Sequence, residues 1–302
     1  MPRPAEHLAA DAPFHAAGTR RALGETVLFV REGGADAGTP VVFLHGFPEH
    51  GGAWRPVIAA LGGKRRWLAP DLRGYGWSDR PAGVSAYTTD ALVREVAALA
   101  EYAGAPVDLV GHDWGGVLAW WTAICAPALV RSLTVCNAPH PAALQQALID
   151  DPAQRAASQY MTALRAPGIA TRFLTDPEAF WDAGTGRHPS LTAEDRAGYL
   201  AAWRQPGAVE AMANWYRAAP FVVPAPQDAV ALPEWARDPA LRVTVPATIV
   251  WGMDDPVLLP ALIAASAAWC DDVRVVEVAG AGHGVIHEAP GAVAAAILGE
   301  NA

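Results

Sequence analysis

The chain has 302 residues, 52% hydrophobic and 18% charged, a composition typical of globular proteins and unlike that of disordered ones. Its formal net charge of −9 argues against a nucleic-acid partner, because phosphate binding needs clustered Lys and Arg. The three cysteines suggest no disulfide framework, residues 1–18 lack the apolar core of a signal peptide, and no run approaches the ~20 apolar residues that cross a bilayer. We therefore expect a soluble, cytoplasmic protein without membrane association.

Apolar strand-like runs alternate with longer helical patterns along most of the chain. The predicted strands are Thr26–Arg31, Pro40–Leu44, Arg66–Pro70, Val107–Val110, Ser132–Asn137, Ala247–Trp251 and Val273–Val278. The predicted helices are Trp54–Leu61, Thr89–Tyr102, Gly115–Ala126, Leu258–Trp269 and Ala292–Leu298. This alternation predicts an α/β fold with a mostly parallel central sheet and helices on both faces.

The alternation of strand-like and helical patterns stops between about residues 139 and 242. Strand candidates vanish there, and helical segments rich in Ala, Trp and Tyr follow one another, punctuated by Pro. We interpret this stretch as a helical insertion in the α/β unit. An insertion after the carboxyl end of a strand lies over the edge where open α/β sheets bind ligands, so we expect it to form a lid.

The sharpest motif is GHDWGG, residues 111–116, between an apolar strand and an apolar helix. It matches the small-x-nucleophile-x-small-small pattern of a strained strand-to-helix turn, with Asp113 at the nucleophile position. Glycines allow the tight turn, and the amino end of the following helix favours an ionised carboxylate. The alternative is that Asp113 only caps the helix.

A second motif, HGFPE at residues 45–49, follows the strand Pro40–Leu44. Where such a nucleophile turn occurs, an amide after the third strand joins the amide following the nucleophile to form an oxyanion hole. The two predicted donors are therefore Phe47 and Trp114. The alternative is an ordinary turn after a strand.

Two further motifs follow the last strands: WGMDDP at 251–256 and GAGH at 280–283. The order nucleophile, acid, histidine is that of hydrolases with this turn. A carboxylate fixes the tautomer of the imidazole, so that its other nitrogen can act as a base. We predict that His283 is the base and that Asp255, just before Pro256, orients it; Asp254 stays open as the acid.

Over nearly its whole length the chain resembles the α/β-hydrolase superfamily, specifically its epoxide hydrolase branch. The HGFPE, DLRGYGWSD (71–79) and GHDWGG segments and the two terminal motifs occur in the family's order. The resemblance implies an α/β-hydrolase core of 1–138 and 243–302 with a helical cap of 139–242 inserted in it. The chain departs from the family at Gly284, where a bulky aromatic residue often follows the histidine; the expected consequence is a wider pocket or a looser His283.

The identity of the nucleophile points to displacement at saturated carbon. Serine attack on an epoxide would give an ether that water does not readily cleave. Attack by Asp113 gives an alkyl ester, which water activated by His283 can cleave at the aspartyl carbonyl. The product of an epoxide would be a vicinal diol.

The resemblance also implies two proton donors for the epoxide oxygen. In epoxide hydrolases one cap tyrosine precedes a Pro-Gly pair by seven residues, and the other lies in an Asn-Trp-Tyr-Arg segment. Here Tyr160 precedes Pro167-Gly168, and Tyr216 lies in the segment 214–217. Phenols suit this role because their reference pKa is about 10.

The sequence supports other functions less well. Haloalkane dehalogenases share the Asp nucleophile and the adjacent Trp but often have Asn where this chain has Phe47, and fluoroacetate dehalogenases have Arg soon after the nucleophile, whereas the next Arg here is Arg131. A non-catalytic receptor on this fold would lack part of the constellation. A metal site at His283, His287 and Glu288 is not expected, because the spacing suits a helix and residues 280–284 read as a loop.

We therefore expect an apolar epoxide as the substrate and no metal or cofactor. Pro48, Trp181 and Trp215 are predicted to line the substrate pocket, with Trp203 and Leu164 nearby in the cap. His50, His112 and His140 flank the predicted pocket and are assigned no chemistry.

Overall fold

The structure is a computed structural model that describes residues 17–183, 188 and 190–300. Eight strands form one sheet in the order β1-β2-β4-β3-β5-β6-β7-β8, antiparallel at β1–β2–β4 and parallel elsewhere. The strands are β1 (Thr19–Leu23), β2 (Thr26–Gly33), β3 (Val41–Leu44), β4 (Trp67–Asp71), β5 (Val107–His112), β6 (Val130–Cys136), β7 (Ala247–Gly252) and β8 (Val273–Val278). The predicted α/β fold is confirmed.

Helices cover the sheet and fill the stretch between β6 and β7. They are α1 (Arg55–Ala60), α2 (Thr89–Ala103), α3 (Trp114–Cys125), α4 (Pro141–Asp150), α5 (Pro152–Ala157), α6 (Tyr160–Arg165), α7 (Ile169–Thr175), α8 (Pro177–Ala183), α9 (Ala193–Trp203), α10 (Ala208–Ala218), α11 (Ala261–Ala267), α12 (Val285–Glu288) and α13 (Pro290–Leu298). Within the described residues, no helix is long and apolar enough to span a bilayer.

Strand β1 and the short helix α12 were not predicted, and helix α11 differs from its predicted bounds. Strand β1 was not predicted, because it is an edge strand whose alternate residues, including Arg20, face solvent and dilute the apolar pattern. The helix predicted from Leu258 to Trp269 is shorter at both ends, since α11 begins only after Pro260 and ends at Ala267. Each predicted strand overlaps an observed one.

Between β6 and β7 the described residues form helices α4 to α10 and no strand; we call residues 141–240 the insert. Its two ends are joined by His140. The ring accepts a hydrogen bond at Nδ1 from the Ala142 amide (3.3 Å) and donates from Nε2 to the Leu241 carbonyl (3.0 Å). The same ring stacks on Trp269, with ring centroids 5.0 Å apart, and the His140 amide donates to Ser266 Oγ.

The central strands determine where chemistry is possible. Strands β3 and β5 are buried along their whole length, because helices cover both faces of the sheet. In a parallel sheet the carboxyl ends of the strands meet at one edge, and the loops after β3, β5, β7 and β8 therefore lie close together. Those loops carry Phe47, Asp113, Asp255 and His283.

Candidate active site

Asp113 lies in the turn between β5 and α3 and has a backbone conformation that is rare for a residue with a side chain. Its φ of 51° and ψ of −123° project the carboxylate away from the helix, to which it makes no capping hydrogen bond. The turn requires close packing: a Cβ on Gly115 would lie 2.1 Å from the Leu44 carbonyl oxygen. The Asp113 side chain therefore does not cap α3, and its carboxylate is presented at the sheet edge.

One of the two amides expected in the oxyanion hole contacts this carboxylate. The Phe47 N–H donates to Asp113 Oδ1 over 2.7 Å. In the described part of the chain, no hydrogen bond joins the Trp114 amide to Asp113. An amide fixed by the loop after β3 can stabilise a negative oxygen at this position in a reaction.

His283 lies between two carboxylates. Its Nδ1 donates to Asp255 Oδ2 over 2.8 Å, and its Nε2 is 3.5 Å from Asp113 Oδ2. The buried Asp255 is thus the carboxylate that meets His283, whereas Asp254 is exposed. This arrangement leaves Nε2 facing Asp113, where it can accept a proton from a water molecule.

Neighbouring charges shift the pKa values of His283 and Asp255. Burial lowers the pKa of His283, but Asp255 and Asp113 outweigh it and hold that pKa well above its usual value. Burial raises the pKa of Asp255, but His283 and the neighbouring hydrogen bonds lower it overall. Before reaction His283 is therefore a cation between two anions. Loss of the negative charge on Asp113 would remove one of these stabilising charges and lower the pKa of His283.

Asn137 was not identified from the sequence as part of the site, yet it holds Asp255. It follows β6 with a φ of 41°, and its Nδ2 donates to Asp255 Oδ2 over 2.7 Å. Its Oδ1 accepts from the Gly252 amide, which joins the end of β6 to the end of β7. The Val257 and Leu258 amides donate to Asp255 Oδ1. Every Asp255 oxygen is thereby fixed in place.

The two predicted proton donors lie on the insert, on the same side as Asp113. Tyr160 begins α6 and lines a small apolar cavity together with Asp113 and Trp114. Tyr216, on α10, packs edge-on against Trp114 and Phe47, with ring centroids 4.9 and 5.3 Å apart. Burial raises the pKa of both phenols, and the Asp113 charge raises them further. Both therefore stay protonated at neutral pH.

The predicted pocket residues are dispersed. Pro48 lines a cavity of about 500 Å³ beside His283. Trp215 donates from Nε1 to the Arg73 carbonyl and, together with Trp114, lines a different cavity whose wall includes neither Asp113 nor His283. Trp181 packs against Tyr199 and Trp203, away from the cavities that adjoin Asp113 and His283 in the described structure. The structure brings Pro48 to the site but not Trp181.

A buried polar cluster behind His283 also escaped the sequence analysis. Glu49 Oε1 accepts from His287 Nε2 (2.6 Å) and from the Tyr199 hydroxyl (3.2 Å), and Oε2 contacts His112 Nδ1 (3.3 Å). Burial raises the pKa of Glu49, but His287 and His112 outweigh it and hold the pKa well below its usual value. His112 Nε2 donates to the His283 carbonyl, so the cluster supports the loop that carries His283.

The segment 71–79, which contributed to the family resemblance, serves the scaffold. Asp71 is fully buried, forms an ion pair with Arg31 (2.5 Å), and accepts from the Gly51 and Trp77 amides. These bonds hold the loops after β3 and β4 together. Within the described residues, no group of three or more His, Cys, Asp or Glu side chains is arranged to hold a metal ion.

Comparisons with known proteins agree with this architecture. Residues 39–290 match the family described as alpha/beta hydrolase fold. The chain is 33% identical over 279 residues to a Bacillus subtilis (strain 168) protein named AB hydrolase superfamily protein YfhM, covering 90% of this chain and 93% of that protein.

Two further relatives carry a more specific name. The Mus musculus protein named epoxide hydrolase 4 is 31% identical over 73% of this chain, and the match spans 61% of that protein, less than two thirds of its length. A solved structure, described as belonging to novel epoxide hydrolases of the alpha/beta hydrolases superfamily in metagenomes from hot environments, superposes with a TM-score of 0.82. It is 34% identical and covers 93% of this chain and 96% of that chain.

Proposed function

The chain belongs to the α/β hydrolase fold family, and from this premise we propose that it is an epoxide hydrolase, which adds water to an epoxide to form a vicinal diol. The observation that carries the proposal is the joint placement of Tyr160 and Tyr216 around Asp113. An oxygen that leaves carbon as an alkoxide needs a proton donor, and two protonated phenols on one side of a carboxylate meet that need.

The first step is an attack by the Asp113 carboxylate on a ring carbon. A C–O bond forms between Asp113 and that carbon, the ring C–O bond breaks, and its electron pair passes to the ring oxygen. One tyrosine transfers its phenolic proton to this oxygen while the other hydrogen-bonds to it. The product is a hydroxyalkyl ester of Asp113.

The second step hydrolyses this ester. The proton that His283 carries in the resting enzyme passes to the tyrosinate left by the first step. The neutral ring then takes a proton from water through Nε2, and the water oxygen adds to the aspartyl carbonyl. The resulting oxyanion occupies the site where the Phe47 N–H donates in the resting enzyme. The ester bond breaks, His283 gives that proton to the departing alkoxide, and the second water proton, left on the Asp113 carboxyl group, returns to His283 Nε2. Asp113 is again a carboxylate, and the diol leaves.

The test is to trap the ester. In a His283→Gln variant incubated with a styrene-oxide-like epoxide, the first step proceeds while the second is blocked. Mass spectrometry should locate one substrate mass on the peptide that contains Asp113. Asp113→Ala should form no adduct and lose about 10⁴-fold or more of the diol-forming rate.

A matched pair separates the two neighbouring carboxylates. Asp255→Asn should slow ester hydrolysis, whereas Asp254→Asn changes an exposed side chain and should leave turnover close to that of the parent. Diol formation that persists in Asp113→Ala would refute the mechanism. Halide release from a haloalkane, without diol formation from any epoxide, would assign the protein to the dehalogenases instead.

A further inference from the structure

The larger of the two cavities at the site lies beside His283. Its volume is about 500 Å³, against about 20 Å³ for the cavity that holds Tyr160. It adjoins the reaction centre, because Phe47 and His283 line it and both contact the Asp113 carboxylate. The rest of its wall includes Pro48, Phe180, Pro256 and Val257, which are apolar, so a hydrocarbon substituent of the substrate fits there.

One residue of the cavity wall, His188, comes from the insert and packs against Gly284. A Cβ placed on Gly284 would lie 2.2 Å from Cε1 and 2.4 Å from Nε2 of His188. The imidazole therefore occupies the space that a side chain at position 284 would need. It stacks on His287, with centroids 5.3 Å apart and ring planes at 25°. The sequence predicted a wider pocket or a looser His283 at Gly284. In the structure the His188 ring, from the insert, occupies the space beside Gly284.

A carboxylate fixes the chemistry of this imidazole. His188 Nδ1 lies 2.8 Å from Glu288 Oε1, and Glu288 Oε2 accepts from the Gly282 amide. Burial and the adjacent His287 lower the pKa of His188 more than Glu288 and Glu49 raise it, so the ring is neutral at pH 7. A neutral ring that donates from Nδ1 to a carboxylate has its lone pair on Nε2. Among the described residues no hydrogen-bond partner is recorded for that nitrogen.

We propose that this cavity is a substrate subsite, in which His188 accepts a hydrogen bond from a hydroxyl group carried by the apolar substituent of the epoxide. The inference rests on the proposed function and adds the substrate class: an epoxide with an uncharged chain that ends in a hydrogen-bond donor. An acceptor such as an ether cannot pair with the Nε2 lone pair. Glu288 and Glu49 on the same wall disfavour a carboxylate end group.

The test compares matched substrates over a series of chain lengths. Terminal epoxides that end in a hydroxyl group are measured against those that end in a methyl group, and kcat/KM is taken for each. At the chain length that reaches His188, the hydroxyl substrate should be favoured by about threefold to tenfold, the usual worth of one neutral hydrogen bond. The gain should appear mainly in KM if the bond is equally strong in ground and transition states.

Two variants test the assignment of the acceptor. His188→Phe keeps a flat ring on His287 but has no lone pair, so the ratio of the two kcat/KM values should fall to about one. Gly284→Ala leaves His188 chemically intact but displaces its ring by the Cβ contact, and should lower the same ratio. The ratio cancels any change in catalysis that affects both substrates.

The possible results distinguish failure of the proposed subsite from failure of the proposed function. A hydroxyl preference that is absent at every chain length, or that survives in His188→Phe, overturns the subsite while leaving diol formation untouched. Failure to form a diol from the methyl-terminated epoxides would instead count against the proposed function. A preference for the carboxylate-terminated analogue would contradict the charge argument and also overturn the subsite.

Discussion

The core and the insert contribute different kinds of residue to the site. The core supplies Asp113, His283 and Asp255, each on a short loop directly after a buried parallel strand. The insert supplies Tyr160 and Tyr216 from short helices that pack on the core through aromatic contacts. Strand ends are fixed by backbone hydrogen bonds on both sides, whereas the position of the phenols depends on how the helices pack.

This difference corresponds to a division of chemistry. In the proposed mechanism the residues of the core form and cleave an ester, and neither step requires an epoxide. In the same mechanism the phenols of the insert suit the site to a leaving oxygen that stays attached to the product. We therefore expect changes in the insert to alter which substrates react, and changes in the core to alter whether the ester turns over.

The largest effect on activity within this comparison should come from the phenols. Tyr160→Phe or Tyr216→Phe removes one hydroxyl, and each should lower the rate of ester formation by roughly tenfold to 100-fold. The double variant should lose about 10³-fold or more, because general acid catalysis typically contributes 10² to 10⁴. Single-turnover adduct formation in the His283→Gln background measures this step alone.

A matched control is Tyr87→Phe. Tyr87 is as buried as Tyr216, but its hydroxyl donates to the Pro81 carbonyl in the core. The Tyr87→Phe substitution should lower the free energy of unfolding by only about 1 kcal/mol. Adduct formation should stay within a few-fold of the parent. Equal losses in Tyr87→Phe and the two insert variants would mean that the phenols act through packing.

The second effect concerns the core. Asn137→Asp keeps the shape of the side chain and tolerates the positive φ, but replaces the Nδ2 donor with a carboxylate 2.7 Å from Asp255 Oδ2. The two carboxyl groups should share a proton, which weakens the support of His283. We expect ester hydrolysis to slow on the order of tenfold, with accumulation of the adduct in a stopped reaction.

Adduct formation provides the internal control, because it depends on Asp113 and the phenols. It should stay within a few-fold of the parent in Asn137→Asp. If both steps slow equally, Asn137 supports the fold of the strand ends rather than the orientation of Asp255.

The smallest effect on activity should come from the junction between core and insert, where we expect a change in stability instead. Burial lowers the pKa of His140 from its usual value of 6.5 to about 4. As pH falls from about 6.5 to about 4, the unfolded chain binds a proton at His140 that the folded chain does not, so the free energy of unfolding falls. The loss should reach about 3 kcal/mol below pH 4.

His140→Asn keeps a side-chain acceptor for the Ala142 amide and removes the titrating group. Urea unfolding at pH 7 and at pH 4.5, in buffers of about the same ionic strength, should show a smaller difference for this variant than for the parent. An identical pH dependence would mean that other groups account for the acid sensitivity.

The sequence predicted the core better than the insert for a physical reason. Buried parallel strands are near-continuous apolar runs, and the chemical motifs follow them directly, so Asp113, Asp255 and His283 could be placed by their position after a strand. Strand β1 lacks that pattern, because it carries Arg20 and Arg21 at the edge of the sheet, where alternate residues are exposed. The tyrosines were found only through resemblance to a family, since nothing in the helical pattern distinguishes them from packing residues.

Asn137 and His188 could not be predicted because their partners are distant in sequence. Asn137 and Asp255 are separated by 118 positions and meet only because β6 and β7 are neighbours in the sheet. Gly284 was recognisable as a departure from the family, but the ring that fills its place comes from the insert. Such contacts follow from tertiary packing, which a single sequence does not specify.

The hydrogen bond between His140 and the Leu241 carbonyl has a consequence for how this protein can change. The polypeptide leaves the sheet layer near His140 and rejoins it near Leu241, and this hydrogen bond holds the two points side by side. Helices between these points that do not carry Tyr160, Tyr216 or Tyr199 can lengthen, shorten or be exchanged without displacing the strand ends that carry Asp113 and His283. We therefore expect that the shape of the substrate pocket can evolve, or be engineered, with little effect on the residues proposed to cleave the ester.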